Sequence, residues 1–439
     1  MDGPRLLVLG ALALGCSAHR APEVEPRPQA RAELEAEATA GSIEAAQAEA
    51  ATAVDEPEAP QIPTKGAAAG ELVALAPGVH HTCALFGGGE VRCWGLNRFG
   101  ILGVGDSTSE SILTPTPVVG LPPAVQVVAD YDYTCALAEA GAVYCWGEND
   151  GGRLGDGGGD RKAAPTEVAG VVADRIFAGF HRACAAKGTR YQCWGSGEFG
   201  DGQERRESRS VDAAALKGSR DLALSDGHAC VLRRGQVRCW GHNGSGQLGN
   251  GEGGCRYERE LCPSSRCLPP QECKSSATPV RAIDLPKVAA IAVGGSHSYA
   301  RAADGSIWRW GQTGTTMDFG EANPRYRPSR FDEVPALVEI AAGGSHACGR
   351  TEEGALYCWG NNAFGQLGHP PDLRGGSEGA AKVEGLPPVT GVALGFYFSC
   401  AIAGEGAAAE AYCWGDNGWG QLGDGTTERR HAPVRVALR

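Results

Sequence analysis

The residues best suited to chemistry in this chain are its cysteines. Sixteen of the seventeen lie after residue 80, and twelve of those fall into six pairs: Cys83/Cys93, Cys135/Cys145, Cys184/Cys193, Cys230/Cys239, Cys348/Cys358 and Cys400/Cys413. A seventh equivalent place holds Tyr299 and Arg309. Both thiols are missing there together, as bonded partners would be, so disulfides are the expected chemistry. A stacked cation–π pair is the expected substitute at Tyr299 and Arg309. Four further cysteines, Cys255, Cys262, Cys267 and Cys273, sit in an insertion at about 250–278. Their spacings are unlike the close pairs of zinc knuckles, and no histidine accompanies them. Two disulfides are expected, with three connectivities open. This thiol load suits an oxidising compartment.

Histidines come next. His81, His228, His297 and His346 stand two residues before the cysteine position, where other copies carry Tyr133, Arg182 and Phe398. The substitutes are not metal ligands, and equivalent sites on separate copies lie a copy's width apart. A structural histidine bonding a neighbouring loop carbonyl is expected, and no metal site. There is no Walker loop, no Ser-His-Asp ordering and no paired metal-binding histidine motif. The sequence calls for no cofactor and no catalytic residue.

These positions need a scaffold that repeats. Cys-Trp-Gly stands at 93–95, 145–147, 193–195, 239–241, 358–360 and 413–415, with Arg309-Trp310-Gly311 as a seventh copy. A period near fifty residues signals a repeat architecture. Each copy reads as short strands: an apolar lead-in such as Glu339 to Ala342, a strand with Cys-Ala, a tight turn, a strand ending Cys-Trp-Gly, a Gly-rich loop and a Pro-Val strand. Cys230 and Cys239 centre on Arg234-Gly235, a two-residue hairpin turn, so the two thiols face each other. The adjacent Trp then points to the opposite face, toward the next sheet. One such sheet cannot bury both faces alone; seven set radially can. The fold class is all-β, a seven-bladed β-propeller over 71–439. The lead-in strand Glu71 to Ala76 and the last strand Pro433 to Ala437 are expected to pair in one blade and lock the ring.

The string Trp-Gly-x-Asn-x-x-Gly-Gln-Leu-Gly stands at 240–249, 359–368 and 414–423, with a variant at 94–103. It resembles the repeat of the regulator of chromosome condensation family. The resemblance implies a seven-bladed propeller. Copies three and five lack the Gln-Leu-Gly close. In that family guanine-nucleotide exchange acts on a small nuclear GTPase, other members inhibit bacterial enzymes or bind proteins, and a light-sensing branch carries Gly-Trp-Arg-His-Thr, which this chain lacks.

Composition narrows the partners. Net charge is −12, with 40 basic against 52 acidic residues, so a phosphate backbone is not the expected partner. Nine Trp and seventeen Cys exclude full-length disorder. Leu6 to Leu14 is an apolar run too short to span a bilayer but suited to a secretory leader. Gly15-Cys16 resembles the bacterial lipoprotein cleavage box, although Ala13 stands where that family prefers Leu. By that resemblance 1–16 is a lipoprotein signal, Cys16 carries lipid, and Ser17 favours the outer membrane; plain secretion is the alternative. Residues 17–70, rich in Ala, Glu and Pro with ten acidic and four basic side chains, read as a disordered stalk.

The resulting expectation is a non-enzymatic propeller at the bacterial cell envelope, attached to membrane through lipid only. It binds a protein or other macromolecule at the cell surface and no nucleic acid. Nucleotide exchange, and a hydrolase or lyase with an unrecognised carboxylate pocket, are the alternatives. The loop Arg325 to Phe331, with Arg325, Tyr326, Arg327, Arg330 and Phe331, has the composition of a binding hot spot. The stapled insertion is a second candidate contact element, and the loop Glu204 to Glu207 reads as a merely solvated charge run.

Overall fold

Each Cys-Trp-Gly copy folds as a four-stranded antiparallel sheet whose strands follow chain order. The computed structural model describes residues 67–257, 271–312, 324–371 and 376–438. The expected leader, Cys16 and nearly all of the stalk lie outside the described residues. Seven sheets form blades over 72–117, 124–172, 175–212, 221–281, 288–331, 339–382 and 389–435. An eighth, two-stranded sheet belongs to the insertion in blade 4.

The first strands of the blades, from Leu72–Pro77 round to Val389–Leu394, touch one another in cyclic order, the last against the first. The described ring is therefore a closed seven-bladed β-propeller with no α-helix among the described residues. Outermost strands carry most of the strand prolines, among them Pro115 and Pro117 in Ser111–Pro117 and Pro279 in Ser275–Arg281. An edge strand tolerates a missing N–H and is blunted by it.

Ring closure differs from the expectation. Leu72–Pro77 belongs wholly to blade 1 and Arg430–Arg435 wholly to blade 7, so the terminal strands share no sheet. Side chains, with a backbone bond from the Phe396 N–H to the Gly78 carbonyl at 3.2 Å, close the ring instead. Trp94 Nε1 and Thr82 Oγ1 of blade 1 both donate to the Gln421 carbonyl of blade 7, at 3.0 and 2.8 Å. Leu72, Phe86 and Trp94 pack with Phe398, Cys400 and Cys413. A repeat pattern has no intrinsic start, and here the first and last described strands fall on either side of a blade boundary.

The same joint recurs around the ring. Disulfides join Cys83–Cys93, Cys135–Cys145, Cys184–Cys193, Cys230–Cys239, Cys348–Cys358 and Cys400–Cys413, each pair directly opposed across its hairpin. Each packs against the Trp of the following blade, as Cys83 and Cys93 do against Trp146 and Cys135 and Cys145 do against Trp194. The indole points back: Trp146 donates to Ile101 O at 3.0 Å, Trp194 to Arg153 O at 3.0 Å, Trp310 to Gln247 O at 2.8 Å and Trp414 to Gln366 O at 2.9 Å. All seven blade tryptophans are at most 1% exposed. Their N–H groups need these carbonyls, because a buried donor without a partner is costly.

Between blades 5 and 6 the joint is built differently. Tyr299 and Arg309 are cross-strand partners, but they do not stack. Tyr299 packs edge-on against Trp359 and accepts its N–H at 3.1 Å. Arg309 instead lies over Phe331, 4.2 Å from the ring centre. Opposed positions in a hairpin share one face, but here each side chain reaches a different aromatic ring, Trp359 for Tyr299 and Phe331 for Arg309.

Candidate functional site

Antiparallel blades place two kinds of loop on one face of the ring. One joins the first and second strands; the other is the Gly-rich loop after the third. The first kind reads Gly78-Val79-His80 in blade 1, Asp130-Tyr131-Asp132 in blade 2, Phe180-His181 in blade 3 and Gly395-Phe396-Tyr397 in blade 7. In blades 4, 5 and 6 it reads Ser225-Asp226-Gly227, Gly294-Gly295-Ser296 and Gly343-Gly344-Ser345. The Gly-rich loops add Phe99, Phe364 and Trp419 in blades 1, 6 and 7. All these aromatic rings are partly exposed, so among the described residues an arc over blades 6, 7, 1, 2 and 3 is aromatic, while the described loops of blades 4 and 5 on that face offer mainly Gly and Ser with Asp226 and His242.

The rings touch in two groups. Phe364, Phe396 and His80 gather round Tyr397, with centroids 5.0, 4.7 and 6.4 Å away, and Trp419 lies 6.4 Å from His80. Tyr131 stacks on Phe180 at 4.2 Å, and His181 meets Phe180 edge-on at 4.7 Å. Gly344 makes room for Phe396: a Cβ there would stand 2.5 Å from its ring. Arg429 caps Phe364 at 4.6 Å.

Between the two groups lies a cleft of about 720 Å³, with Trp419 and His80 on one side, Tyr131 on the other and Phe99 in the wall. Phe99 has φ 68°, a left-handed backbone rare for a bulky side chain, where blade 2 uses Gly151 at φ 79°. Arg161 and Arg98 both stack on its ring, at 3.9 and 4.7 Å. Glu110 and Asp132 also line the cleft, and burial raises the Asp132 carboxyl above its ordinary range. Burial lowers His80, opposed by Asp416, and lowers His181, so both rings are neutral near pH 7. A smaller cavity of about 130 Å³ lies near the ring axis, lined by Phe180, Phe396, Asp130 and Asp226. Burial pushes Asp130 up to about 7, and its neighbour Asp226 adds to that.

The cleft was not legible as a site, because its residues occupy the variable places of each repeat. Lining up the seven copies and reading the two places ahead of each histidine position would have shown the asymmetry.

The histidines are structural, but their partner is a hydroxyl of the next blade and not a loop carbonyl. His81 Nε2 meets Thr134 Oγ1 at 2.9 Å, His228 meets Ser298 at 2.7 Å and His346 meets Ser399 at 2.8 Å. Each hydroxyl donates onward to the loop carbonyl that also holds the tryptophan, at Ile101, Gln247 and Gln366. The equivalent place in the blade after His297 holds Ala347, which has no hydroxyl, and His297 Nε2 has no hydrogen-bond partner. Burial lowers His81, His228 and His346 to about 3 and His297 to about 4. Among the described residues no cluster of three or more His, Cys, Asp or Glu could hold a metal ion.

Arg325 to Phe331 does not present its aromatics. Tyr326 and Phe331 are both 3% exposed. Tyr326 packs onto Gly246 and Gly253, and Phe331 lies 5.2 Å from Trp359. Ser329–Phe331 is the fourth strand of blade 5, and the sheet takes Phe331 inward. Arg327 pairs with Asp284 at 3.0 Å and Arg330 with Asp332 at 2.7 Å, while Arg325 is half-buried. Glu204 to Glu207 is no loop but the start of the strand Glu204–Asp212, with Arg205 on Asp201 and Arg206 on Asp150. In the insertion Cys255 and Cys273 are bonded at the base of a small hairpin; Cys262 and Cys267 lie outside the described residues.

Ring, joints and rim define a protein of the β-propeller class that offers a rigid loop face. Within that class the chain carries regulator of chromosome condensation (RCC1) repeats: family models of that description match residues 73–101 and 337–366, and 88–137, 140–179, 353–402 and 409–439. The Arabidopsis thaliana ultraviolet-B receptor UVR8 is 26% identical over 377 residues, covering 83% of this chain and 70% of the receptor. The Homo sapiens E3 ubiquitin-protein ligase HERC2 is 29% identical over 239 residues, covering 52% of this chain and 5% of the ligase. This chain thus spans only a small part of that relative. The Bos taurus secretion-regulating guanine nucleotide exchange factor is 26% identical over 272 residues, 57% of this chain and 53% of the factor. Among solved structures, Prp20p of Saccharomyces cerevisiae superposes with a TM-score of 0.63 at 22% identity over 83% of this chain and 87% of that one, which speaks to fold.

Proposed function

We propose that the chain is a non-enzymatic binding propeller that recognises a protein or other macromolecule through the aromatic arc of its loop face, displayed at a cell envelope through lipid on Cys16. The observation that carries this reading is the gathering, among the described residues, of partly exposed Tyr, Trp and Phe rings on adjacent blades of one face, with His80 and His181 beside them. Such residues give much contact area at low ordering cost, and a closed ring holds them in place before a partner arrives. Relatives add support: the solved Prp20p study concerns binding to Gsp1p and histones, and receptors and exchange factors share the repeat. The disulfides agree with export.

Two experiments test it. The full chain, immobilised, captures partners from envelope extract, and Tyr397→Ala with Tyr131→Ala abolishes capture while thermal stability holds. Capture unchanged by the pair refutes the arc. Radiolabelled palmitate enters the native chain and not Cys16→Ala; label in neither removes the lipid anchor.

A further inference from the structure

We infer that the cleft between blades 7, 1 and 2 is a glycan site that takes a neutral pyranose unit of an oligosaccharide. The inference rests on the loop face being a binding face, and names what this part of it binds.

Size comes first. About 720 Å³ falls within the range of small-ligand pockets, roughly 300–1,000 Å³. Charge decides the class. Arg98 and Arg161 stand against Glu110 and Asp132 in the same lining, so the formal charges balance. An anionic ligand would meet two carboxylates, and a cationic one two guanidinium groups. A neutral ligand meets neither penalty, yet needs donors and acceptors at once to use both kinds of wall. Sugar hydroxyls do both.

The state of these groups agrees. Glu110 and Asp132 make no side-chain hydrogen bond or ion pair with any described residue. Asp132 is nonetheless partly buried, and desolvation raises its carboxyl, so it gains from a donated hydroxyl. Arg161 is fixed by Glu148 at 2.9 Å and by the Phe99 ring, which aims its guanidinium before any ligand arrives. The aromatic walls complete the chemistry. A pyranose offers a face of C–H bonds to an aromatic ring and hydroxyls at its edge. Trp419 and Tyr131 flank the cleft, and Tyr131 has one face occupied by Phe180. Phe99, in its left-handed backbone, sets a third ring in the wall, where it carries the Arg98 and Arg161 guanidinium groups.

The test uses the full chain against a panel of neutral trisaccharides (maltotriose, cellotriose, triacetylchitotriose, mannotriose), with trigalacturonate and the deacetylated chitosan trimer as charged counterparts. Saturation-transfer NMR and tryptophan fluorescence read binding. At least one neutral trisaccharide binds with Kd below 10 mM, and charged trimers bind at least fivefold more weakly. Trp419→Ala and the isosteric Asp132→Asn each weaken binding tenfold or more with unchanged near-ultraviolet circular dichroism. No neutral binder, a preference for a charged trimer, or binding indifferent to both substitutions overturns the inference. A protein partner lost on Trp419→Ala while every trisaccharide fails also overturns it, and leaves the proposed function standing.

Discussion

Two halves of one rim carry the same backbone and opposite surfaces. Blades 7, 1, 2 and 3 place Phe396, Tyr397, His80, Tyr131, Phe180 and His181 where blades 4, 5 and 6 place Asp226, Gly, Ser296 and Ser345. Below that rim the joints are nearly identical all round, with a disulfide of one blade against the tryptophan of the next. The comparison teaches that folding constrains the joints and leaves the rim to vary. The rim is where this chain differs from a bare ring.

The largest expected effect separates stability from surface. Four buried histidines have pKa values of about 3 to 4, below the 6.5 of an unfolded chain. Their contribution is whole above pH 6.5 and is lost as pH falls, because the unfolded chain takes up protons that the ring excludes. Asp130, raised to about 7, works the other way and gains as pH falls from 7 toward 4. The four histidines outweigh Asp130, so stability falls as pH drops from about 6 to 4, by on the order of a few kcal/mol over that range. Urea titrations across that range check it. Because these histidines sit in both halves, acid loosens the whole ring; a flat profile would mean they are solvated.

A disulfide joint compared with the Tyr299 joint comes next. Cys135→Ala with Cys145→Ala costs about 2.5–3 kcal/mol by loop closure. Tyr299→Phe strands the buried Trp359 N–H and costs about 1–3 kcal/mol. Denaturant midpoints measure both. If Tyr299→Phe were silent, the blade 5–6 joint would rest on packing alone.

On the rim itself, Tyr397→Ala weakens capture of a partner by about 2 kcal/mol, roughly thirtyfold. Ser296→Ala and Asp226→Asn, on blades 5 and 4 in the other half, change it less than twofold. Biosensor affinities measure the contrast, and equal losses in both halves erase it. The smallest effect is Gly344→Ala, whose new methyl displaces Phe396 and lowers affinity several-fold without touching the partner.

The blades, the six thiol pairs and the buried tryptophans were legible because each repeats with fixed spacing. Tyr299 and Arg309 were legible as a missing pair but not as separate contacts, since Phe331 and Trp359 come from neighbouring strands far along the chain. The Arg325 to Phe331 segment misled because composition does not reveal that a short fourth strand turns Phe331 inward. The hydroxyl partners of the histidines were written in the residue before each cysteine position, Thr134, Ser298 and Ser399, one blade further on. Only a ring tells which copy adjoins which.

Hydrogen–deuterium exchange of the full chain with and without a captured ligand tests the central claim most directly. The arc account predicts protection in 78–80, 97–103, 130–132, 180–181, 395–397 and 417–421. Protection confined to 225–227, 294–296 and 343–345, or to the hairpin turns on the opposite face such as 87–89 and 234–235, would contradict it.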